Sequence, residues 1–150
     1  MAVYSASFRA ATCDTTLGMA GLRSGTSTNT PVIREIRVFT EAANAAIIRI
    51  VRVTTAGTGT SITINEANEA KTPALATAVH SYSSTAPTIQ AGDVDVGMVG
   101  AAIGSGFVYT YYGEGYGIFI PPAATNANGI MLVESAATAN TYSGTFIWEE

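Results

Sequence analysis

The side chains that could do chemistry in this chain are few. There is one histidine (His80), one cysteine (Cys13) and one lysine (Lys71). A nucleophilic dyad or triad on His80 needs a serine or cysteine held in matching geometry. No G-x-S-x-G occurs, Cys13 is remote in sequence, and the abundant Ser and Thr single none out. His80 therefore reads as a surface or interface histidine. Asp93 and Asp95, in GDVDVG, form a D-x-D pair. Calcium takes about six to eight oxygen ligands and no EF-hand-like run follows, so the pair reads as the acidic opening of a strand. Glu134, Glu149 and Glu150 are scattered, whereas glycoside hydrolysis needs two carboxylates at a set separation. These observations predict no catalytic residue, no cofactor and no metal, and a protein that is not an enzyme.

Residues 113–117 read GEGYG and invite comparison with a phosphate-cradling loop. Such a loop works because a strand feeds a glycine turn that opens a helix, whose free N–H groups hold the anion. Here IFIPP follows, which is strand chemistry ended by two prolines, and no Lys-Ser or Lys-Thr is present. The reading is instead a hairpin turn at Gly113 and Gly115, using the positive φ that glycine permits. Gly117 would then sit in a strand where another segment or a large ring packs close.

Arginine is the one real concentration of charge. Arg34, Arg37, Arg49 and Arg52 are four of the six arginines. Arginine is favoured at interfaces and in bidentate pairing with carboxylates, so these four are candidates for polar contacts between subunits. The competing reading is a solvated or internally paired hairpin. Net charge is -4 and no broad basic patch exists, which argues against nucleic acid as a partner.

The elements that must position these residues are strands. VIREIRVF (32–39) and AIIRIVRV (46–53) are rich in β-branched residues, and TEAANA (40–45) between them reads as a hairpin loop turning near Asn44. VYSASFRA (3–10), the run through 106–112, YGIFI (116–120), GIMLVE (129–134) and YSGTFIW (142–148) continue the pattern. Period-two geometry groups Phe107 with Tyr109 and Tyr111, Tyr116 with Ile118 and Ile120, and Tyr142 with Phe146 and Trp148. Turn-rich stretches at 23–31, 54–61, 121–129 and 135–141 separate these runs, as in an all-β sandwich or barrel. The segment 66–82 carries Ala and Leu after Pro73 and is read as holding at most one short helix. No repeat or composition break divides residues 1–150, so one domain is expected.

Both faces of the arginine-bearing strands are partly apolar, unlike a sheet wet on one side. Charged residues are 12% of the chain, about half the usual share. Both features suggest that part of the surface is covered by other subunits. MAVYSASFRAAT shows no basic region followed by an apolar one, so no secretory signal is expected. The uncharged stretch 96–113 contains the turn signal GSG and a strand pattern, which argues against a membrane span.

Together, MAVYSASFRAAT, IREIRVF, PALATAVHSYSSTAPT, GYGIFIPPAATNANGIMLVE and FIWEE resemble small structural proteins of tailed phages. In particular they resemble jelly-roll capsid decoration (cement) proteins. The resemblance implies an antiparallel, jelly-roll-like β-sandwich that forms homotrimers and bridges major capsid proteins. It would be made in the host cytoplasm and sit on the capsid exterior of the virion. Arg34, Arg37, Arg49 and Arg52 are then the expected interface residues, with Tyr4 and Phe8 on a terminal strand reaching to a neighbour. The alternative is a sugar- or receptor-binding sandwich of a phage fibre or tail. In it Trp148, Tyr109, Tyr111, Tyr112 and Tyr116 would stack on sugar rings.

Overall fold

The computed structural model describes residues 1–67, 72–113, 115–123, 127–138 and 140–150. Its strands are β1 (Val3–Thr12), β2 (Ala20–Arg23), β3 (Val32–Thr40), β4 (Ala46–Val53), β5 (Thr60–Ser61) and β6 (Ile64–Glu66). They continue with β7 (Thr77–His80), β8 (Ile89–Val99), β9 (Gly106–Thr110), β10 (Ile118–Phe119), β11 (Gly129–Glu134) and β12 (Thr141–Glu149). One sheet runs β10-β3-β12-β1-β6, with β9 also on β3; the other runs β5-β7-β2-β11-β4-β8. They are called here the β1 sheet and the β4 sheet, and every pairing is antiparallel.

The pairings are nested. β4 pairs β8, β3 pairs β9 and β10, β2 pairs β11, and β1 pairs β12. A long ribbon of this kind, rolled so that successive rungs fall in alternate sheets, is a jelly roll. Residues 54–88 are inserted at the inner end of the ribbon. They supply β6 to the edge of β1 and β7 to the edge of β2, with β5 beyond β7.

Alternation in β12 shows why the chain closes this way. Tyr142, Gly144, Phe146 and Trp148 point inward and the residues between them outward. Trp148 stacks on Tyr4 at 5.8 Å, and Phe8 lies 6.1 Å from Phe146. Gly144 makes room for the Phe8 ring, because a Cβ there would lie 2.6 Å from its Cζ. From the facing sheet, Leu22, Ile48, Ile50, Ile130 and Leu132 complete the same core.

Several expectations from the sequence are corrected. β3 and β4 are not a hairpin: they lie in different sheets, and residues 41–45 cross between them. No Asn-Gly or similar dipeptide pins a tight turn there. The Asn140 side chain instead holds the crossing through the Asn44 carbonyl, at 3.1 Å. Ile33, Ile36 and Val38 then face Ile48 and Ile50 across the core rather than beside them. Strict alternation in β3 also fails. The register slips between Ile147 and Trp148, so Arg34 is an extra residue and Ile33 joins Ile36 inside.

The segment 66–82, read as holding at most one short helix, contains none among its described residues, and 68–71 lie outside them. Thr77–His80 is a strand, because the free edge of β2 pairs it.

GEGYG is not a hairpin turn either. β9 and β10 run in the same direction along the same edge of β3, and residues 111–113 and 115–117 form an excursion within that edge strand. Gly113, Gly115 and Gly117 have positive φ of 117°, 77° and 145°, while Glu114 lies outside the described residues. Gly117 does meet a close neighbour, since a Cβ there would fall 2.4 Å from Val32 Cγ1. Its backbone also reverses the alternation, so Tyr116 is exposed while Ile118 and Ile120 are buried.

The core is tightly closed around Trp148, which has no exposed surface. Trp148→Ala is expected to cost about 3–5 kcal/mol, from lost burial plus the cavity left behind. Urea unfolding checks this; a loss under about 1 kcal/mol would mean that the ring is not part of the core.

Candidate interaction surfaces

The β4 sheet is apolar on both faces. Its outer face carries Val51, Val53, Val79, Met131 and Val133, all buried although they point away from the main core. The chain's own loops cover them. The loop of residues 13–19 lies across β11, with Gly18 against the Met131 side chain and Leu17 and Cys13 packed on the cluster, and rejoins the sheet at Met19, whose N–H donates to Leu132 O at 2.9 Å. Tyr82 lies over Gly21, where a Cβ would stand 2.3 Å from its hydroxyl.

This cover stops halfway. Ile47 on β4, its partner Met98 and Val96 on β8 share that outer face, and among the described residues nothing lies over them. Ile47 is 42% exposed, Val96 41% and Met98 70%. β8 has an inverted pattern. Asp95 and Gly97 turn inward, where Asp95 accepts from Tyr111 Oη at 3.1 Å and Gly97 receives the Phe107 ring, while Val96 and Met98 face solvent. Ile103 in the following turn and Val108 on β9 extend the apolar exposure around this side of the sandwich. A shallow pocket of about 250 Å³ lies at its end, lined by Ala45, Ile47, Met98 and Ala136.

The four hairpin-region arginines all have partners within the chain. Arg34 donates to Glu149 Oε2 through Nε and Nη2 at 2.9 and 2.7 Å, and to the Tyr116 carbonyl. Arg37 pairs with Glu35. Arg49 grips Asp93 Oδ1 at 2.8 and 2.7 Å. Arg52 reaches across the end of the sandwich and donates to the Phe119 carbonyl at 2.8 Å. Three of these contacts are stitches between strands or between sheets, and the Arg37–Glu35 pair lies within β3. Tyr4 and Phe8 are both 2% exposed, so as the chain folds their rings belong to the core.

A groove of about 460 Å³ crosses the outer face of the β1 sheet, lined by Val3, Arg34, Glu35, Tyr112, Ile147 and Glu149 among others. Tyr112 and Tyr116 flank this region and are 70% and 68% exposed. Tyr112 Oη donates to Glu35 Oε2 at 3.3 Å. The other aromatics of the sugar-stacking reading are committed elsewhere. Trp148 is core, and Tyr109 and Tyr111 bond to β8.

The remaining polar candidates are structural in their contacts. His80 Nδ1 lies 3.0 Å from Ser81 Oγ. Glu134 is fully buried and accepts from Tyr142 Oη and from Thr138 N and Oγ1, the last two at 2.9 and 2.7 Å. Burial, and then this bond to Glu134, push the Tyr142 phenol well above its ordinary range. Among the described residues no group of three or more His, Cys, Asp or Glu could hold a metal ion. No helix among them is long and apolar enough to cross a membrane. Compared with protein families, with curated proteins and with solved structures, the chain matches none.

The loop that covers half of the β4 sheet is tied by Asp14. Its Oδ1 accepts from the backbone N–H of Leu17 and Thr16 at 2.6 and 2.7 Å, and from Thr16 Oγ1 at 3.1 Å. These bonds hold the Asp14 carboxyl below its ordinary value. A lowered carboxyl pKa stabilises the fold above the unfolded value, and that contribution is lost as pH falls through the folded one. Asp14→Asn is therefore expected to be less stable at neutral pH and to lose less stability on acidification; urea midpoints across a pH series check this. At the start of the same loop, where Cys13 Sγ faces the sheet and accepts from Glu134 N–H at 3.3 Å, burial pushes the Cys13 thiol up to about 12. With the thiolate scarce, Cys13 is expected to react with a disulfide reagent at pH ~8 far more slowly than after unfolding. Equal rates would show that the loop does not cover it.

Proposed function

We propose that this protein is a non-enzymatic structural component of a tailed-phage virion. In this reading it is a capsid decoration protein that trimerises on the capsid exterior and bridges neighbouring major capsid proteins. The observation that carries the proposal is the half-covered outer face of the β4 sheet. An apolar sheet face that the chain buries on one half and leaves bare at Ile47, Val96 and Met98 is a surface made for another protein.

Other features support the same reading. The jelly roll is the architecture that the resemblance implies. Charge is scarce, and part of it is taken up in ion pairs between strands, Arg34 with Glu149 and Arg49 with Asp93. The mechanism is mechanical. Each copy buries its bare β4–β8 face against a neighbour, in an interface of the order of 1,200–2,000 Å² or more. Rigid sandwiches joined in this way hold adjacent capsid subunits together. Arg49 contributes by tying β4 to β8 through Asp93, the two strands that present the face, and Arg34, Arg37 and Arg52 remain the candidates for polar contacts with further subunits.

A second reading keeps one observation in its favour. Tyr112 and Tyr116 stand exposed beside a groove that holds an ion pair and a carboxylate, an arrangement suited to a sugar ring.

Mixing the purified protein with undecorated capsids tests the proposal. Saturable, symmetric attachment that raises the capsid's disruption temperature is expected, together with no hits on a glycan array. Absence of attachment with selective glycan binding would replace the decoration reading with the second one.

A further inference from the structure

We propose that the pocket beside Arg23 binds a short-chain carboxylate. Arg23 ends β2 on the outer face of the β4 sheet and is only 6% exposed. Its cross-strand neighbours are Gly129 on one side and Thr77 on the other. The arginine stem lies over Gly129, where a Cβ would fall 2.6 Å from Arg23 Cγ.

The guanidinium is poorly served there. Nη1 reaches the Gly57 carbonyl only at 3.5 Å, and Nε has no hydrogen-bond partner. No ion pair among the described residues includes Arg23, unlike Arg34, Arg37 and Arg49. Two further buried hydroxyls stand close by without partners. Thr77 Oγ1 is on the neighbouring strand, and Tyr82 Oη stands over Gly21, two positions from Arg23 on the same face.

A buried charge without a counter-charge is costly, and a buried N–H without an acceptor adds to that cost. Water would supply an acceptor but not the missing negative charge. Among the described residues, what this corner of the fold lacks is an anionic oxygen.

Arg23 and Thr77 line a pocket of about 300 Å³ with Ser61 on its polar side and Ile62, Ile64 and Val79 as apolar wall. A carboxylate matches the planar guanidinium fork and takes a further bond from the Thr77 hydroxyl. A short aliphatic tail would then lie on the isoleucine and valine side chains. Phosphate fits less well, because an apolar wall leaves its remaining oxygens without donors.

The probe is propionate, added to the intact ¹⁵N-labelled protein at constant ionic strength, and the readout is the Arg23 Nε–H resonance. A saturable shift with propionate, larger than that with phosphate and absent with chloride, is expected. Thr77→Val keeps the side-chain shape and is expected to weaken the affinity about fivefold, the worth of one neutral hydrogen bond. No shift with propionate, an equal shift with chloride or phosphate, or unchanged affinity in Thr77→Val would overturn the proposal. Because the readout is a resonance of the free subunit, it is independent of capsid attachment.

Discussion

One constraint organises this molecule: the β4 sheet has to be dry on both faces. Its inner face closes the sandwich core through Leu22, Ile48, Ile50, Ile130 and Leu132, and its outer face presents Val51, Val53, Met131 and Val133. A single-layer cover is therefore needed outside a two-layer fold. The chain provides it from residues 13–19, tied by the Asp14 carboxylate, and from the segment carrying Tyr82. At β4 and β8 that supply of chain runs out, and the apolar surface continues uncovered.

Charge is deployed in keeping with this. Arg34 joins β3 to β12 through Glu149, Arg49 joins β4 to β8 through Asp93, and Arg52 joins the two sheets through the Phe119 carbonyl. Partly exposed pairs of this kind contribute little stability individually. Their larger effect is on register, since each fixes which residues of an edge strand face outward. With Arg34, Arg49 and Arg52 so occupied, three of the six arginines are turned to contacts within the chain rather than left free to oppose close approach by another protein. Arg23 differs from these, being buried beside unpaired hydroxyls and, among the described residues, without an acid.

The fold class was legible because the inward residues of β1, β11 and β12 are large and regularly spaced: Tyr4, Phe8, Ile130, Leu132, Phe146 and Trp148. Strand partners were not. VIREIRVF and AIIRIVRV look like two arms of a hairpin, and nothing local reveals that each finds its partners elsewhere, at β9 and β12 and at β8 and β11. Of β8 only the acidic opening at Asp93 and Asp95 was read, because Asp95 and Gly97 point inward while Val96 and Met98 point outward, the reverse of the usual signal. The two-faced apolar character of AIIRIVRV was visible. That half of its cover comes from the same chain was not, because TTLGM at 15–19 carries no mark of lying on a sheet. The arginine cluster was equally visible, while its acceptors, at Glu149, Asp93 and the Phe119 carbonyl, are distant in sequence.

The central claim is that another copy of this chain covers the bare half of the β4 sheet. Light scattering on the purified protein at micromolar concentration tests it most directly, with the Ile47→Lys/Met98→Lys double variant beside the wild type. The account predicts a trimeric mass for the wild type and a folded monomer for the variant. A wild-type protein that stays at its monomer mass of 15.4 kDa would contradict it.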